Sequence, residues 1–439
     1  MAGISTKTKL SGDIGNTDLF LISKDNGNGT FTSYKVDSLQ IKNYTAGSTS
    51  GKVGIANSSG VYTYYATLSL AITAAVSGQT VDLLTDITET GSVTLSMKAG
   101  VKINGNGYTY TLSVNDDTTA INNGTSLLIE MFNIKVVRTG RANNLGGRVF
   151  VKGDTTAGLN LKCQNVVFEN TYGNAVLANN TTIYGLTINS YGDGVYAPYD
   201  STGLNNCIIT SSNAYGVNLA NSGYDIINCN VIGSTTGIFG GYGAVYNSIG
   251  KTTSGTGIQA TRVVNSTGIS SSGTGIATNN GNNSVGISTS GVGLSGVFRN
   301  STGISTSGFA GGGTFYNCSL FSSSNYALST TSTVTMYNSY AESTSSPVTA
   351  RANIYNSTVR CLWNNAGGSC TNSFVVGSHE VMNSFLEVTN ASAYCITGYV
   401  GSTWKFAGNT YKGATTAVNS TNITQGITNT SDSKGNILI

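Results

Sequence analysis

The sequence is poor in proline, histidine and charge, and these shortages exclude several classes of protein. Its 439 residues include two prolines and one histidine, and 9% are charged, against about 25% in an average globular domain. Disordered chains are usually charged and rich in proline, so this composition argues against the ordinary disordered class. The net charge of +3 contains no basic run, which leaves no electrostatic basis for binding nucleic acid or an anionic membrane surface.

Long apolar runs and paired cysteines are also lacking. No stretch approaches the length of a transmembrane helix, and the opening MAGISTKTKLSGD lacks the apolar core of a secretory signal peptide. The seven cysteines are scattered without a CxxC pair, which argues against a zinc site or a disulfide framework. We therefore expect no membrane insertion, no metal and no cofactor, and synthesis in a reducing cytosol with free thiols.

Glycine and small polar residues are abundant instead. The chain has 57 glycines and many Ser, Thr and Asn residues, a composition typical of an all-β protein with numerous tight turns. The triplets [TV]-G-[IL] recur in one stretch at steps of 11, 7, 11, 7 and 10, so every second triplet returns after about 18 residues. Their last residues are Ile258, Ile269, Ile276, Ile287, Leu294 and Ile304.

A longer register runs through the same region. An Asn followed by Ser or Cys recurs every 17–22 residues, and we call these residues the Asn series: Asn206, Asn228, Asn247, Asn265, Asn283, Asn300, Asn317, Asn338 and Asn356. Eight of the nine residues that stand two positions earlier are apolar, and the exception is Gly281. Such a period predicts a parallel β-helix, in which each strand pairs with its equivalent in the next coil. We expect the Asn amides to stack as a ladder.

Strand alternation then predicts which side chains form the core. The residue two before each Asn faces inward, and a second inward column is formed by Val176, Val195, Val217, Ile238, Ile258, Ile276 and Leu294. Cys207, Cys229 and Cys318 follow Asn where Ser is usual, and we interpret them as small buried thiols. About fifteen coils at about 4.8 Å each would give a shaft on the order of 70 Å.

The chain divides into four predicted parts. Residues 1–45 contain two strands (Leu19–Ile22 and Phe31–Val36) and a short helix, and they form an N-terminal attachment module. A Gly/Ser-rich linker covers residues 46–63, and the β-helix covers residues 64–400, with a helix over about 66–77 that caps its open end. Residues 401–439 depart from the Asn register and are predicted to form a C-terminal cap or oligomerisation segment.

Two stretches carry a family resemblance. Between Tyr64 and Leu112 the order of helix, GQTVDLL, strand and GVKINGNG resembles the start of the pectin-lyase-like right-handed β-helices found in phage tailspikes. The segments LSGDIGNTDLFLISK and TSYKVDSLQ resemble the N-terminal attachment modules of phage tail-fibre and appendage proteins. The resemblance implies a right-handed β-helix, a homotrimer, docking of residues 1–45 onto other virion proteins and localisation in the virion.

Candidate catalytic residues are few. Glycan depolymerases need two placed carboxylates, and no acidic residue occurs between Asp225 and Glu342. Asp193, Asp200 and Asp225 are the candidates that remain on the upper coils, and Asp193 and Asp225 are expected about one and a half coils apart on one flank. The alternative is that all three are solvated turn residues. Asp116 and Asp117 are interpreted as a polar turn in preference to a calcium site.

An aromatic stripe is the other candidate site. Immediately before the Asn positions stand Tyr184, Tyr246, Tyr316, Tyr337 and Tyr355. If the preceding apolar residue points inward, these tyrosines point outward. They would then stack on the sugars of a host-surface glycan, or pack between subunits.

The sequence therefore favours a non-enzymatic phage appendage: a tail fibre, tailspike or head fibre with a β-helical shaft that attaches to the host surface. One alternative is a glycan-cleaving tailspike, acting as a glycoside hydrolase or polysaccharide lyase through the three aspartates. A bacterial surface adhesin is less consistent with the lack of an export signal in the sequence.

Overall fold

The computed structural model describes residues 19–25, 31–37, 51–123, 127–140, 147–152, 158–198, 202–219, 223, 225–329, 333–344, 351–361, 372–374, 378–382, 384–388, 394–398, 403–407, 409–412, 416–418 and 437–438. The chain is all-β, with 56% strand and 2% helix. Within these ranges no helix has the length and apolar character needed to span a membrane.

The elements follow one another as short strands with a single helix among the described residues. The first are β1 Leu19–Asp25, β2 Phe31–Asp37, β3 Val53–Ala56, β4 Tyr62–Tyr65, α1 Leu68–Ala74, β5 Thr80–Leu83, β6 Ile87–Glu89, β7 Leu95–Ser96, β8 Lys102–Asn104, β9 Thr109–Ser113, β10 Ile121–Asn122, β11 Leu128–Thr139, β12 Phe150–Lys152, β13 Leu159–Asn170, β14 Val176–Ala178 and β15 Thr181–Ser190. The middle strands are β16 Val195–Tyr196, β17 Thr202–Asn205, β18 Ile208–Ser211, β19 Tyr215–Asn218, β20 Ile226–Ile227, β21 Asn230–Gly233, β22 Thr236–Phe239, β23 Ala244–Tyr246, β24 Ile249–Thr252, β25 Ile258–Val264, β26 Thr267–Ser270, β27 Ile276–Asn282, β28 Val285–Ser288, β29 Leu294–Arg299, β30 Thr302–Ser305 and β31 Gly311–Tyr316. The last are β32 Ser319–Ser322, β33 Thr333–Tyr337, β34 Tyr340–Ser343, β35 Arg351–Tyr355, β36 Thr358–Cys361, β37 Asn372–Phe374, β38 Ser378–Met382, β39 Phe385–Val388, β40 Tyr394–Gly398, β41 Thr403–Ala407, β42 Thr410–Lys412, β43 Thr416–Val418 and β44 Ile437–Leu438.

The strands build a parallel β-solenoid of about twelve turns, which confirms the predicted fold class. Turns are fewer than the fifteen expected because the early ones are long: Leu95, Ile121, Phe150 and Val176 stand in register at spacings of 26, 29 and 26 residues. In the middle of the shaft Ile258, Ile276 and Leu294 repeat every 18 residues. At about 4.8 Å per turn the solenoid is about 60 Å long.

Each turn contributes strands to three columns. The first column precedes the Asn position and includes β17, β20 and β23. The second follows the Asn position and includes β18, β21 and β24. The third includes β16, β19 and β22. In the thin middle of the shaft, β25, β27, β29 and β31 run through the third and first columns without a break.

The core is assembled from inward side chains of all three columns, and the second column contributes Ile209, Val231 and Leu320. All seven predicted residues of the third column are fully buried, from Val176 to Leu294. The first column is equally buried. Its one position without an apolar side chain, Gly281, has a packing reason, since a Cβ there would lie 2.2 Å from the Phe298 ring. That ring stacks on Phe315 with centroids 6.1 Å apart, so aromatic volume from the next turns fills the space over the glycine.

In the thin middle of the shaft the second column has a different character. In the T/V-G-I-S strands β26, β28 and β30 the glycine and serine are buried, while the isoleucine faces outward. A Cβ on Gly268 would lie 2.1 Å from the carbonyl oxygen of Gly275, so the opposite wall leaves no room for a larger inward side chain. We call Ile232, Ile269, Ile287, Ile304 and Phe321, which share one register with Lys251, the outward isoleucine column.

The N-terminal region differs in part from the prediction. Strands β1 and β2 form an antiparallel pair, and the helix predicted after them lies outside the described residues. Within the predicted linker 46–63, β3 forms and pairs antiparallel with both β4 and β5. Helix α1 is shorter than expected. The Thr67 hydroxyl accepts the Leu70 N–H at its start, and Lys98 donates to two carbonyls at its end. That α1 closes the core stays a prediction.

The C-terminal boundary lies later than predicted. Strands β41 and β42 pair in parallel with β38 and β39, and β44 pairs in parallel with β42. The β-solenoid therefore continues past residue 400 into the segment predicted as a cap.

Candidate functional site

The Asn series marks the corner between the first and second columns. All nine residues are exposed and have φ between +47° and +55°. Asparagine enters this left-handed region more readily than other non-glycine residues, so the backbone turn explains why Asn recurs. An amide-to-amide hydrogen bond within the series joins Asn317 Nδ2 to Asn300 Oδ1 at 3.3 Å. The feature shared by all nine corners is therefore the left-handed backbone.

The residue after each Asn forms a buried hydrogen-bonded series, which we call the Ser ladder. Its serines are Ser248, Ser266, Ser284, Ser301, Ser339 and Ser357, and Ser384, which follows Asn383, continues it. The Ser266 N–H donates to the Ser284 hydroxyl of the next turn at 3.3 Å. The Ser284 hydroxyl in turn donates to the Asn282 carbonyl at 2.8 Å. The ladder thus satisfies backbone groups that the corner buries, which is the usual requirement for buried polar atoms.

Three cysteines occupy the same slot, buried and without a disulfide as predicted. Cys318 Sγ donates to the Tyr316 carbonyl at 3.3 Å, and burial raises the pKa of this thiol. A hydrogen bond with Cys207, together with burial, raises the pKa of Cys229. The same hydrogen bond lowers the pKa of Cys207, which is buried. Because the thiolate is the reactive form, Cys229 and Cys318 serve as serine substitutes and not as nucleophiles.

Replacement of Ser284 by alanine tests the ladder. The variant leaves the buried Ser266 N–H without its acceptor, so we expect the free energy of unfolding to fall by about 1–3 kcal/mol. Ser284→Cys should lose less, because the chain itself uses cysteine at Cys318. Denaturant unfolding followed by circular dichroism compares the two variants, and equal losses would contradict a hydrogen-bonding role.

The candidate carboxylates lie apart in the fold. Asp193 precedes β16 in the third column and Asp225 precedes β20 in the first, while Asp200 lies outside the described residues. Asp193 is 8% exposed and accepts the Tyr215 N–H at 3.1 Å and Asn218 Nδ2 at 3.2 Å. Burial raises its pKa, and those hydrogen bonds oppose the rise. Asp225 accepts the Ala244 N–H at 3.3 Å. Each carboxylate therefore braces the backbone of the next turn.

The turn at Asp116 is held by hydrogen bonds. Its carboxylate accepts the Thr118 N–H at 2.9 Å and the Ser92 hydroxyl at 2.7 Å, and hydrogen bonds from these two residues lower its pKa to about 2. Arg138, which the sequence analysis missed, is fully buried and donates to the carbonyls of Asp116 and Thr118. Among the described residues no group of three or more His, Cys, Asp or Glu side chains is placed to hold a metal ion.

The tyrosine stripe is only partly continuous. Tyr316, Tyr337 and Tyr355 are half-buried, and their rings stack face to face at 4.9 and 4.8 Å. Arg299, which the sequence analysis missed, lies over Tyr316 at 5.0 Å and extends this stack by one turn. Tyr184 and Tyr246 share this register, but Asn205 and Ile227 stand between them. Val264, Asn282 and Arg299 stand between Tyr246 and the stack.

The stacked geometry bears on what this stripe can do. A sugar ring needs a free aromatic face, and the stacked tyrosines cover one another's faces and leave mainly their edges outward. The sequence left sugar stacking and subunit packing open, and this geometry favours packing.

A second outward surface was not predicted. The outward isoleucine column lies on the other side of the Asn corner, and its described members include Ile232 at 40%, Ile304 at 36% and Phe321 at 37% exposure. Ile208 and Ile249, in neighbouring second-column strands, are 53% and 43% exposed. The same face therefore carries apolar side chains over several turns.

Comparison with known proteins adds no relative to this description. No family model, no curated protein and no solved structure matches this chain.

Proposed function

We propose that this chain is the shaft subunit of a phage virion appendage, a tail fibre, tailspike or head fibre, whose copies associate side by side as a homotrimer. The observation that carries the proposal is the outward isoleucine column. A strip of exposed apolar side chains over several turns, interrupted here by Lys251, is typical of a protein interface. The half-buried tyrosines and Arg299 stand on the adjacent face, and Tyr and Arg are enriched where subunits meet.

The remaining parts of the proposal follow from the resemblance. Residues 1–45 dock onto other virion proteins, and the shaft projects toward the host. Attachment to a host-surface glycan gains strength from several copies binding at once. We favour a non-enzymatic role because Asp193 and Asp225 brace successive turns from different columns.

Native mass tests the association. We expect sedimentation equilibrium to give three times the mass of one 45.2 kDa chain, and a gel run without boiling to retain the trimer band. Ile287→Glu places a carboxylate in the apolar strip, which is costly without a partner. We expect it to weaken association at least about a hundredfold, which corresponds to about 2.8 kcal/mol.

The matched control is Thr88→Glu, an exposed strand position in β6, which should leave the mass unchanged. Circular dichroism checks that both variants are folded. A parent chain that is monomeric at micromolar concentration would contradict the proposal, and so would an Ile287→Glu variant that still forms the trimer.

A further inference from the structure

A shallow groove lies along the third column, beside the loop that joins β22 to β23. Its volume is about 440 Å³, within the range of about 300–1,000 Å³ found for ligand pockets. Its lining includes Tyr242, Gln259, Ala277, Asn279, Ser295 and Gly296. The groove therefore spans four successive turns and is a separate surface from the tyrosine stack and the outward isoleucine column.

One end of the groove is built by a braced loop. The Gly243 N–H donates to the Gly240 carbonyl at 3.0 Å, and the Thr261 hydroxyl donates to the Gly241 carbonyl at 3.2 Å. Tyr242 projects from this loop with 74% of its surface exposed, the highest value among the large apolar side chains described as exposed. Unlike the stacked tyrosines, Tyr242 has an exposed ring face, and the two hydrogen bonds above hold its loop in position.

The floor of the groove is made of small residues except at Gln259. Gln259, Ala277 and Ser295 stand in register on its outward side. Gly296 has φ +124°, and a Cβ there would lie 1.8 Å from the Thr278 carbonyl oxygen. Glycine is thus required at this point, and the floor stays low enough for a flat ligand to lie along several turns.

The polar groups of the groove are neutral. Its lining contains two carboxamides, Gln259 and Asn279, and three hydroxyl side chains besides Tyr242, but no charged residue. Both carboxamide residues are exposed, and such side chains offer two donors and an acceptor to a ligand. A charged ligand would find no opposite charge in this lining, whereas a ring with an apolar face and several hydroxyl groups would find matching partners.

We propose that this groove binds a neutral oligosaccharide and does not cleave it. One sugar ring packs its apolar C–H face on Tyr242, and the next units lie over Ala277 and Ser295. Gln259 and Asn279 hydrogen-bond to their hydroxyl groups. Hydrolysis by the usual two-carboxylate route has no residues to carry it, because no acidic side chain lines the groove. The proposal stands on the groove itself and does not depend on the appendage assignment.

The test uses the full chain on an array of neutral and acidic oligosaccharides, followed by calorimetric titration with the neutral oligosaccharide that binds best. We expect Tyr242→Ala to weaken that binding at least about tenfold, and the double variant Gln259→Ala with Asn279→Ala to weaken it similarly. The matched control is Tyr172→Ala, which removes another exposed ring, 48% exposed and on a different turn, and should leave the dissociation constant unchanged.

Several results would overturn the proposal. On the array, these are the absence of binding to any neutral glycan and binding that is confined to acidic glycans. In the titration, it is an affinity that Tyr242→Ala leaves unchanged. The release of new reducing ends from the bound oligosaccharide would also overturn it, because it would show cleavage. The melting temperature of each variant shows whether the fold is intact. A monomeric parent that binds neutral glycan through Tyr242 would contradict the association and still support the groove.

Discussion

Replacing Phe298 by alanine will lower the free energy of unfolding by about 3–5 kcal/mol, the usual loss for a fully buried phenylalanine. Phe298 is 0% exposed, stacks on Phe315 and covers the Cα of Gly281. The variant would open a cavity across neighbouring turns of the thin part of the shaft. Denaturant unfolding followed by circular dichroism measures the loss. Phe239→Ala, which truncates a half-buried ring on the outside, should cost about 1 kcal/mol or less.

Gly281 offers a sharper control for this prediction. In the parent chain a Cβ at Gly281 would lie 2.2 Å from the Phe298 ring, so Gly281→Ala should be destabilising by about 1–3 kcal/mol. In the Phe298→Ala background the same methyl group enters the vacated space, and its cost should fall or change sign. A double-mutant cycle measures this coupling. Strictly additive losses would contradict the packing described for this turn.

Replacing Gly291 by alanine should cost about 3 kcal/mol or more, at the upper end of what an overpacked site loses. A Cβ there would lie 2.1 Å from the carbonyl oxygen of Gly273 in the preceding turn. A Cβ on Gly273 would likewise lie 2.1 Å from the carbonyl oxygen of Gly255, one turn earlier. Because the added methyl group would clash with backbone atoms, the clash can be relieved only if the two turns move apart and the hydrogen bonds between them lengthen.

Thermal unfolding and amide hydrogen exchange measure this second effect. Because each turn of a solenoid contacts only its neighbours, we expect protection to fall first in the turns that flank Gly291. Gly223→Ala is the matched control, since no atom lies within 4 Å of a Cβ at that position, and its stability should match that of the parent. Equal effects at Gly223 and Gly291 would show that close approach between turns is not the cause.

The Gly291 and Ser284 variants address one property of the shaft, which is the tight stacking of its corners. At one corner glycine permits carbonyl contact, and at another asparagine takes the left-handed backbone while serine satisfies the groups it buries. These residues carry little apolar surface. They allow turns of 18 residues to close around a core that is only a few side chains wide.

Much of this was predictable because a β-helix converts distance along the chain into position in space. Once the Asn series set the period, alternation within each strand placed Leu204 and Val245 inside, and both are buried. The same logic placed Val195 and Ile276 in one buried column. That Cys318 is a small buried thiol was predicted from its position after Asn317, because the other residues at this position of the repeat from Ser248 to Ser384 are serines.

Other features were not predicted because similar sequence triplets occupy different positions in the fold. The triplets that end at Ile276 and Ile287 look alike in sequence, yet Ile276 is fully buried and Ile287 faces outward. The difference is one of strand phase, since Ile276 begins β27 on its inward side, whereas in β28 Gly286 takes the inward position and Ile287 the next, outward one. Asp193 and Asp225 were expected on one flank, but Asp193 precedes a third-column strand and Asp225 a first-column strand, so a spacing of about one and a half turns places them in different columns.

The sequence by itself determined the periodic part of this protein: the parallel β-helix, the Asn corners, the serine and cysteine slot and the two buried columns. These features depend on spacing and alternation, which are properties of the chain read in order. Only the tertiary structure decided which isoleucines face solvent, which tyrosines stack and where the groove beside Tyr242 lies. Those features depend on how closely the walls of the shaft approach one another and on which side chains of separate turns become neighbours, and no local pattern encodes either.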